Sequence, residues 1–323
     1  MARKKKKNTF RNFILFILII LMMFVYTEYN NEIKGIFNYI LPENNISNIN
    51  DIKNSSIDSV EIEFSDSIKI ASWNIQNFGQ SKSSKEDVMQ EIGNRLNNYD
   101  IIAIQEITNV HEKIDIDCDR NSGSASHNNF GLIRSTLEGV LDENYKLIIS
   151  PQVYNERYLY VYDSSKVELV DSYFVADYNL GQRCQTNRDE AGKMLREPYV
   201  GVFQVNNINI TLMNVHTSPS NNHEELMALK YFYDIELEKH ENLLLLGDLN
   251  FGCSYYPDFN MFNNSVFLFG DDANTNVASS ECAYDRMIYD EPFVGNFVNS
   301  GIDNTVNRDI SDHYLIWTEL AFE

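Results

Sequence analysis

Two histidines stand where an imidazole could do chemistry. His216 closes the apolar run Ile208-Asn209-Ile210-Thr211-Leu212-Met213-Asn214-Val215 and precedes Thr217-Ser218-Pro219, while His313 ends the triplet Ser311-Asp312-His313 ahead of Tyr314-Leu315-Ile316-Trp317. A neutral imidazole near its ordinary pKa takes or gives a proton at neutral pH, and a carboxylate on its other nitrogen fixes its tautomer and stabilises the imidazolium. Gly247-Asp248-Leu249-Asn250 offers a charged oxygen for a hard cation and, two residues on, an amide that supplies a neutral oxygen or a donor to a phosphate. Taken singly these signals are weak. Gly-Asp-Leu-Asn fits an Asx turn, Ser-Asp-His fits a surface loop, and a histidine at a strand end is often structural.

The elements that must carry these residues are short apolar runs, each ended by a polar cluster. Ile68 to Asn74, Ile101 to Glu106, Tyr158 to Tyr162, Ile208 to His216 and Leu243 to Asp248 read as strands, several buried on both faces. Helical periods lie between them, at Lys85 to Leu96 and His223 to Glu238. This alternation predicts an α/β (α+β) fold, a four-layer sandwich of two mixed β-sheets packed face to face with helices outside. Asn74, Glu106, His216 and Asp248 each fall at the carboxyl end of an apolar run, where α/β sheets place their sites.

The chain of 323 residues carries a formal net charge of −21. Its N-terminus holds Arg3, Lys4, Lys5, Lys6, Lys7 and Arg11 against Glu28, so the remainder of the chain is more acidic still. Such a balance runs against a polyanion as partner unless cations occupy the site and the excess acid faces elsewhere. The basic start and the apolar run Phe13 to Tyr26 read as an export signal, shorter than the roughly 20 residues of a membrane span. No small-residue cleavage site comes after it, so residues 1–30 are a signal peptide or an uncleaved anchor, residues 31–66 an Asn- and Ser-rich tether, and 67–323 the catalytic domain. The protein is then secreted or held on the outer face of the membrane, basic end inside. Cys118, Cys184, Cys253 and Cys282 fit an oxidising compartment, lack zinc spacing, and allow three pairings.

Taken together and in order, the motifs match one family. Trp73-Asn74-Ile75-Gln76-Asn77-Phe78-Gly79, Ile104-Gln105-Glu106, Glu156-Arg157-Tyr158, Arg196-Glu197-Pro198, His216-Thr217-Ser218-Pro219-Ser220, Gly247-Asp248-Leu249-Asn250, Cys253-Ser254-Tyr255, Cys282-Ala283-Tyr284-Asp285-Arg286 and Ser311-Asp312-His313 resemble deoxyribonuclease I. The Asn, Glu, Gly-Asp-x-Asn and Ser-Asp-His elements belong to the broader endonuclease/exonuclease/phosphatase superfamily, and the Glu-Arg-Tyr, Arg-Glu-Pro, Cys-Ser-Tyr and Cys-Ala-Tyr-Asp-Arg segments narrow the resemblance to the deoxyribonuclease I branch.

The resemblance implies a monomeric, metal-dependent hydrolase that cleaves DNA phosphodiesters with two pairs, His216 with Glu156 and His313 with Asp285. It implies Mg²⁺ or Mn²⁺ among Asn74, Glu106, Asp248 and Asp312, with Asn250 on the scissile phosphate and Arg196, Tyr154, Tyr255 and Tyr284 against the nucleic acid. It also implies a Cys253–Cys282 disulfide and a structural Ca²⁺ in the loop of Asn274, Asn276 and Ser280. Three positions depart from the family: Gln76 and Thr108 stand where it carries arginines for the minor groove, and Asn274 where it carries an aspartate. Weaker attraction to duplex DNA and to Ca²⁺ is the expectation. The rival readings are a phosphodiesterase of the same superfamily acting on a phospholipid such as sphingomyelin, and a silent surface-binding module.

Overall fold

Along the main strands, consecutive side chains are buried on opposite sides. Ile70, Ile101, Ala103, Tyr158, Tyr160, Leu244 and Leu246 lie in one apolar cluster, and their neighbours Ala71, Ile102, Ile104, Leu159 and Val161 in a second. A third takes Leu243 and Leu245. These are strands covered on both faces, as their unbroken apolar runs predict. The computed structural model describes residues 67–108, 127–175, 194–220, 222–252, 260–262, 264–278 and 281–322. The N-terminal segment, the tether, Cys118, Cys184, Cys253, Tyr255 and Ser280 lie outside them. Among the described residues no helix is long and apolar enough to cross a membrane.

The first sheet holds β1 (Ser67–Phe78), β2 (Ile101–Thr108), β3 (Tyr145–Ile149), β4 (Glu156–Asp163), β11 (Asn296–Asp303) and β12 (Leu315–Ala321) in the order β11-β12-β1-β2-β4-β3. The second holds β5 (Glu168–Phe174), β6 (Tyr199–Val205), β7 (Ile208–His216), β8 (Leu243–Asp248), β9 (Ser265–Phe267) and β10 (Asp285–Asp290) in the order β5-β6-β7-β8-β10-β9. Each sheet has one parallel pair, β1 with β2 and β7 with β8, among antiparallel neighbours. Aromatic and aliphatic side chains of both sheets share the cluster between them, Tyr160 meeting Phe203 edge-on at 5.4 Å. Outside, α2 (Glu86–Leu96) and α3 (His127–Glu138) cover the first sheet through Met89, Ile92, Ile133 and Leu137, and α4 (Asn222–Leu237) covers the second through Leu226, Leu229 and Tyr233. The four-layer sandwich is the one the alternation predicts. A further helix, α1 (Gln80–Ser83), is a single turn that follows β1 in the chain.

Strands apolar on both faces do not set their own register, because a one-residue slip exchanges one apolar face for another. Polar residues at their ends do. His216 pairs with Asp248 across β7 and β8, and Asp248 with Asp285 across β8 and β10, so three chemistry-bearing residues form one row. Gly247, at φ +141°, sits behind Asp248 where any Cβ would overlap the carbonyl of Val215. Only glycine lets β8 approach β7 that closely.

Candidate active site

The carboxyl ends of β1, β2, β7 and β8 and the amino ends of the antiparallel β4, β10 and β12 meet at one edge of the sandwich. His216 ends β7, and its Nδ1 hydrogen-bonds Glu156 Oε1, the first residue of β4, at 2.7 Å. His313 precedes β12, and its Nδ1 hydrogen-bonds Asp285 Oδ2, the first residue of β10, at 2.8 Å. The two pairs expected from the sequence are therefore assembled, and each joins one sheet to the other. Both imidazoles turn Nε2 toward a single oxygen, Asp248 Oδ2, at 3.6 Å from His216 and 3.5 Å from His313.

Asp248 satisfies both readings of its motif. Its Oδ1 accepts the Asn250 N–H at 2.8 Å, an Asx turn, which leaves Oδ2 to face the histidines. The Asn250 amide donates to the Thr217 carbonyl at 2.8 Å and so braces the His216 loop. Ser311, fully buried, donates to the Asn74 carbonyl at 2.6 Å and accepts the His313 N–H at 3.0 Å, while the Trp73 indole donates to the His313 carbonyl at 3.1 Å. The His313 loop is thereby fastened to β1.

The expected cation ligands are gathered here too, with one difference. Asn74 offers its amide nitrogen to Glu106 Oε1 at 2.9 Å and Asp248 Oδ2 at 3.0 Å, and its oxygen accepts the Gln76 N–H. As it stands, Asn74 aligns the carboxylates as a donor. Glu106 Oε2 accepts the Asn77 N–H at 2.7 Å, and Asp312 Oδ2 accepts the Gln76 amide at 2.8 Å. The Asp285 carboxylate is completely buried, and Asp248, Asp285 and His313 present ligand atoms within 4.8 Å of one another. Carboxylate oxygens suit a hard divalent cation.

Other expected residues are placed differently. Arg196 is 8% exposed and pairs through Nε with Glu156 Oε1 at 2.9 Å, so it backs the first pair instead of reaching outward. Tyr154 is 46% exposed at the tip of the turn before Glu156 with φ +53°, and the half-buried Tyr284 ring lies 6.2 Å from that of His313. Of the two arginine-lacking positions, Gln76 points into the site and Thr108 is buried beside Glu156 in register. In the loop expected to hold Ca²⁺, the Asn274 side-chain oxygen accepts the N–H groups of Asn276 and Cys282, and that of Asn276 accepts Ala278 N–H. Cys282 is disulfide-bonded.

Sequence reasoning passed over Lys82. Its ammonium donates to the carbonyls of Ile75 at 2.6 Å, Gln76 at 2.5 Å and Ile310, tying the end of β1 to the segment before Ser311. It lies in a polar stretch without period, and only its position after Gly79 hints at a role. Backbone strain gathers at the same edge: Gln76, Asn77, Glu106, Tyr154 and Asn250 all have positive φ. Each costs on the order of 1 kcal/mol or more and persists where surrounding contacts over-determine it.

Burial alone would pull His313 down, but Asp285 and then Asp248 outweigh it and hold the imidazolium up to about 10. His216 is raised in the same way, burial opposing and Glu156 prevailing. Burial pushes Asp248 up, and His313 and His216 more than offset it, leaving it below its ordinary value. A histidine raised on folding stabilises fully below its unfolded pKa of about 6.5, and that stability is lost as pH rises toward the folded value. Lys82, lowered by burial to about 8, acts with the opposite sign above that pH. The diagnostic window is therefore about pH 6.5 to 8, where the loss is roughly 1–2 kcal/mol. In EDTA the Tm should fall by about 5 °C across it, and His313→Gln should flatten the slope. An unchanged slope in that variant would refute the assignment.

The endonuclease/exonuclease/phosphatase family profile matches residues 71–313. The chain is 29% identical over 282 residues to Deoxyribonuclease-1 of Equus caballus, covering 77% of this chain and 91% of that protein. Among solved structures it resembles a functionally unknown conserved protein from Enterococcus faecalis V583, with a TM-score of 0.55, 15% identity, and coverage of 79% of this chain and 100% of the other. A mannosyl-6-phosphatase from Bacteroides thetaiotaomicron shares the fold at a TM-score of 0.50 and 14% identity, over 79% of this chain and all of that one. At those identities the structural likeness speaks to fold alone. The family match and its span, together with the sandwich and the paired histidines, make the chain a deoxyribonuclease I-like member of the endonuclease/exonuclease/phosphatase family.

Proposed function

We propose that the chain is a divalent-metal-dependent endonuclease that hydrolyses DNA phosphodiesters. The observation that carries this reading is the convergence of two carboxylate-backed imidazoles on Asp248 Oδ2, at 3.6 and 3.5 Å. One imidazole takes a proton from water through Nε2 as the water oxygen bonds to phosphorus. As the bond from phosphorus to the 3′-oxygen breaks, the other gives its proton to that oxygen. Glu156 and Asp285, on the far nitrogens, orient the rings and stabilise whichever is the imidazolium. Glu106, Asp248 and Asp312 would hold Mg²⁺ or Mn²⁺, and Asn74 keeps the first two aligned. Bound there, such a cation would supply polarisation of the phosphoryl oxygen and would offset the charge of the acidic cleft. Asn250 and Tyr284 border the phosphate, Tyr154 meets the sugar or base from the rim, and Arg196 holds Glu156 in place.

DNA as the substrate is supported by the similarity to Deoxyribonuclease-1. Supercoiled plasmid, RNA and sphingomyelin, each with Mg²⁺ or EDTA, test it. Plasmid nicking that requires Mg²⁺ is the expected result, and phosphocholine release without nicking would replace DNA by a lipid substrate.

A further inference from the structure

The two members of the His313–Asp285 pair are anchored to different sheets. His313 hangs from β1 through Ser311 and Trp73, whereas Asp285 opens β10 of the other sheet. A 2.8 Å contact between them needs a third element that fixes one to the other.

The segment around Thr275 makes that connection. Thr275 is completely buried, and its Oγ1 accepts the N–H groups of Tyr284 at 2.9 Å and Asp285 at 3.1 Å. Its own N–H donates to the Cys282 carbonyl at 2.9 Å, so both main chain and side chain grip the approach to β10. On the other side, the Thr275 carbonyl accepts the Tyr314 N–H at 2.8 Å and the Val277 N–H donates to the Asp312 carbonyl at 2.9 Å. Asn276 faces His313 as a bridge partner between these two bonds. The strap thus bonds to the residues on either side of His313 and to the backbone of Asp285 itself.

We propose that Thr275 is a positioning residue whose hydroxyl sets Asp285 against His313, an inference that rests on the reading of this pair as acid/base machinery. Only an oxygen can accept both N–H groups at the start of β10. Valine keeps the shape and removes the acceptor at which the Tyr284 and Asp285 N–H groups meet, so the Asp285 backbone loses its buried anchor and the carboxylate is free to drift. Serine keeps the acceptor and gives up one methyl group.

The test compares T275V and T275S with the wild-type chain in two measurements. In Mg²⁺-supported plasmid cleavage, T275V is expected to lose about 10²-fold in kcat with little change in KM, the scale of an ångström-level misplacement. T275S is expected to recover most of that loss. In the metal-free protein, proton NMR should show a downfield His313 Nδ1–H signal, identified by its absence from His313→Gln. T275S should retain the signal and T275V should shift or lose it. The proposal is overturned if T275V matches the wild type in kcat and in this signal. It is equally overturned if T275S fails as T275V does, since packing of the methyl group would then be what matters. Should T275V not fold, the T275S comparison decides alone. Should the wild type cleave no phosphodiester, the functional reading fails while the NMR comparison, which needs no substrate, still decides the role of Thr275.

Discussion

His216→Ala and His313→Ala should each lower Mg²⁺-dependent cleavage of plasmid by about 10³- to 10⁴-fold, measured as kcat under saturating substrate. The size reflects the lack of any substitute for either imidazole. Nε2 of either ring faces the shared Asp248 oxygen, and Nδ1 is already committed to a buried carboxylate, Glu156 3% and Asp285 0% exposed. Water in the vacated space could still hydrogen-bond the carboxylate, but it is a far weaker base than imidazole and a far weaker acid than imidazolium. The double variant should fall little below either single one, since groups acting in one step are far from additive. A single variant that stays within about tenfold of the wild type would remove that histidine from the chemistry.

Asp248→Asn carries the second largest expectation, a loss of about 10³-fold in kcat from a change of nearly equal size and shape. Three functions meet on this carboxylate. It is the oxygen both imidazoles face, it accepts the Asn74 amide at 3.0 Å, and it is one of the three carboxylates that would hold the cation. Its charge is among the causes that hold both histidines up. In metal-free D248N the two imidazoles should therefore titrate at lower pH than in the wild type, visible in proton NMR. Loss of activity without that movement would assign Asp248 to the cation alone, and retention of both would deny it the central place.

Much of the site is legible from residue order. A strand that is apolar on both faces and ends in one polar residue has little choice about where that residue goes, so Asn74, Glu106, His216 and Asp248 could be placed at a common edge. The pairings of His216 with Glu156 and His313 with Asp285 came from family resemblance, and their geometry agrees. Arg196 is the instructive difference. Its type and motif implied a phosphate contact, yet it is 8% exposed and pairs with Glu156 at 2.9 Å. A buried guanidinium needs a nearby anion, and only the fold determines which one it meets.

The two histidines show where the division lies. The sequence by itself determined which groups reach the edge of each sheet, because hydrophobic burial and strand alternation act locally and track residue order. The tertiary structure decided which groups touch. His216–Glu156, His313–Asp285, Asn74–Asp248 and Gln105–Asn214 all cross from one sheet to the other, between residues from 28 to 174 positions apart. No local period encodes the distance between two stacked sheets. It is set by how the side chains between them interlock, and at this edge by the ties of Ser311, Lys82 and Thr275.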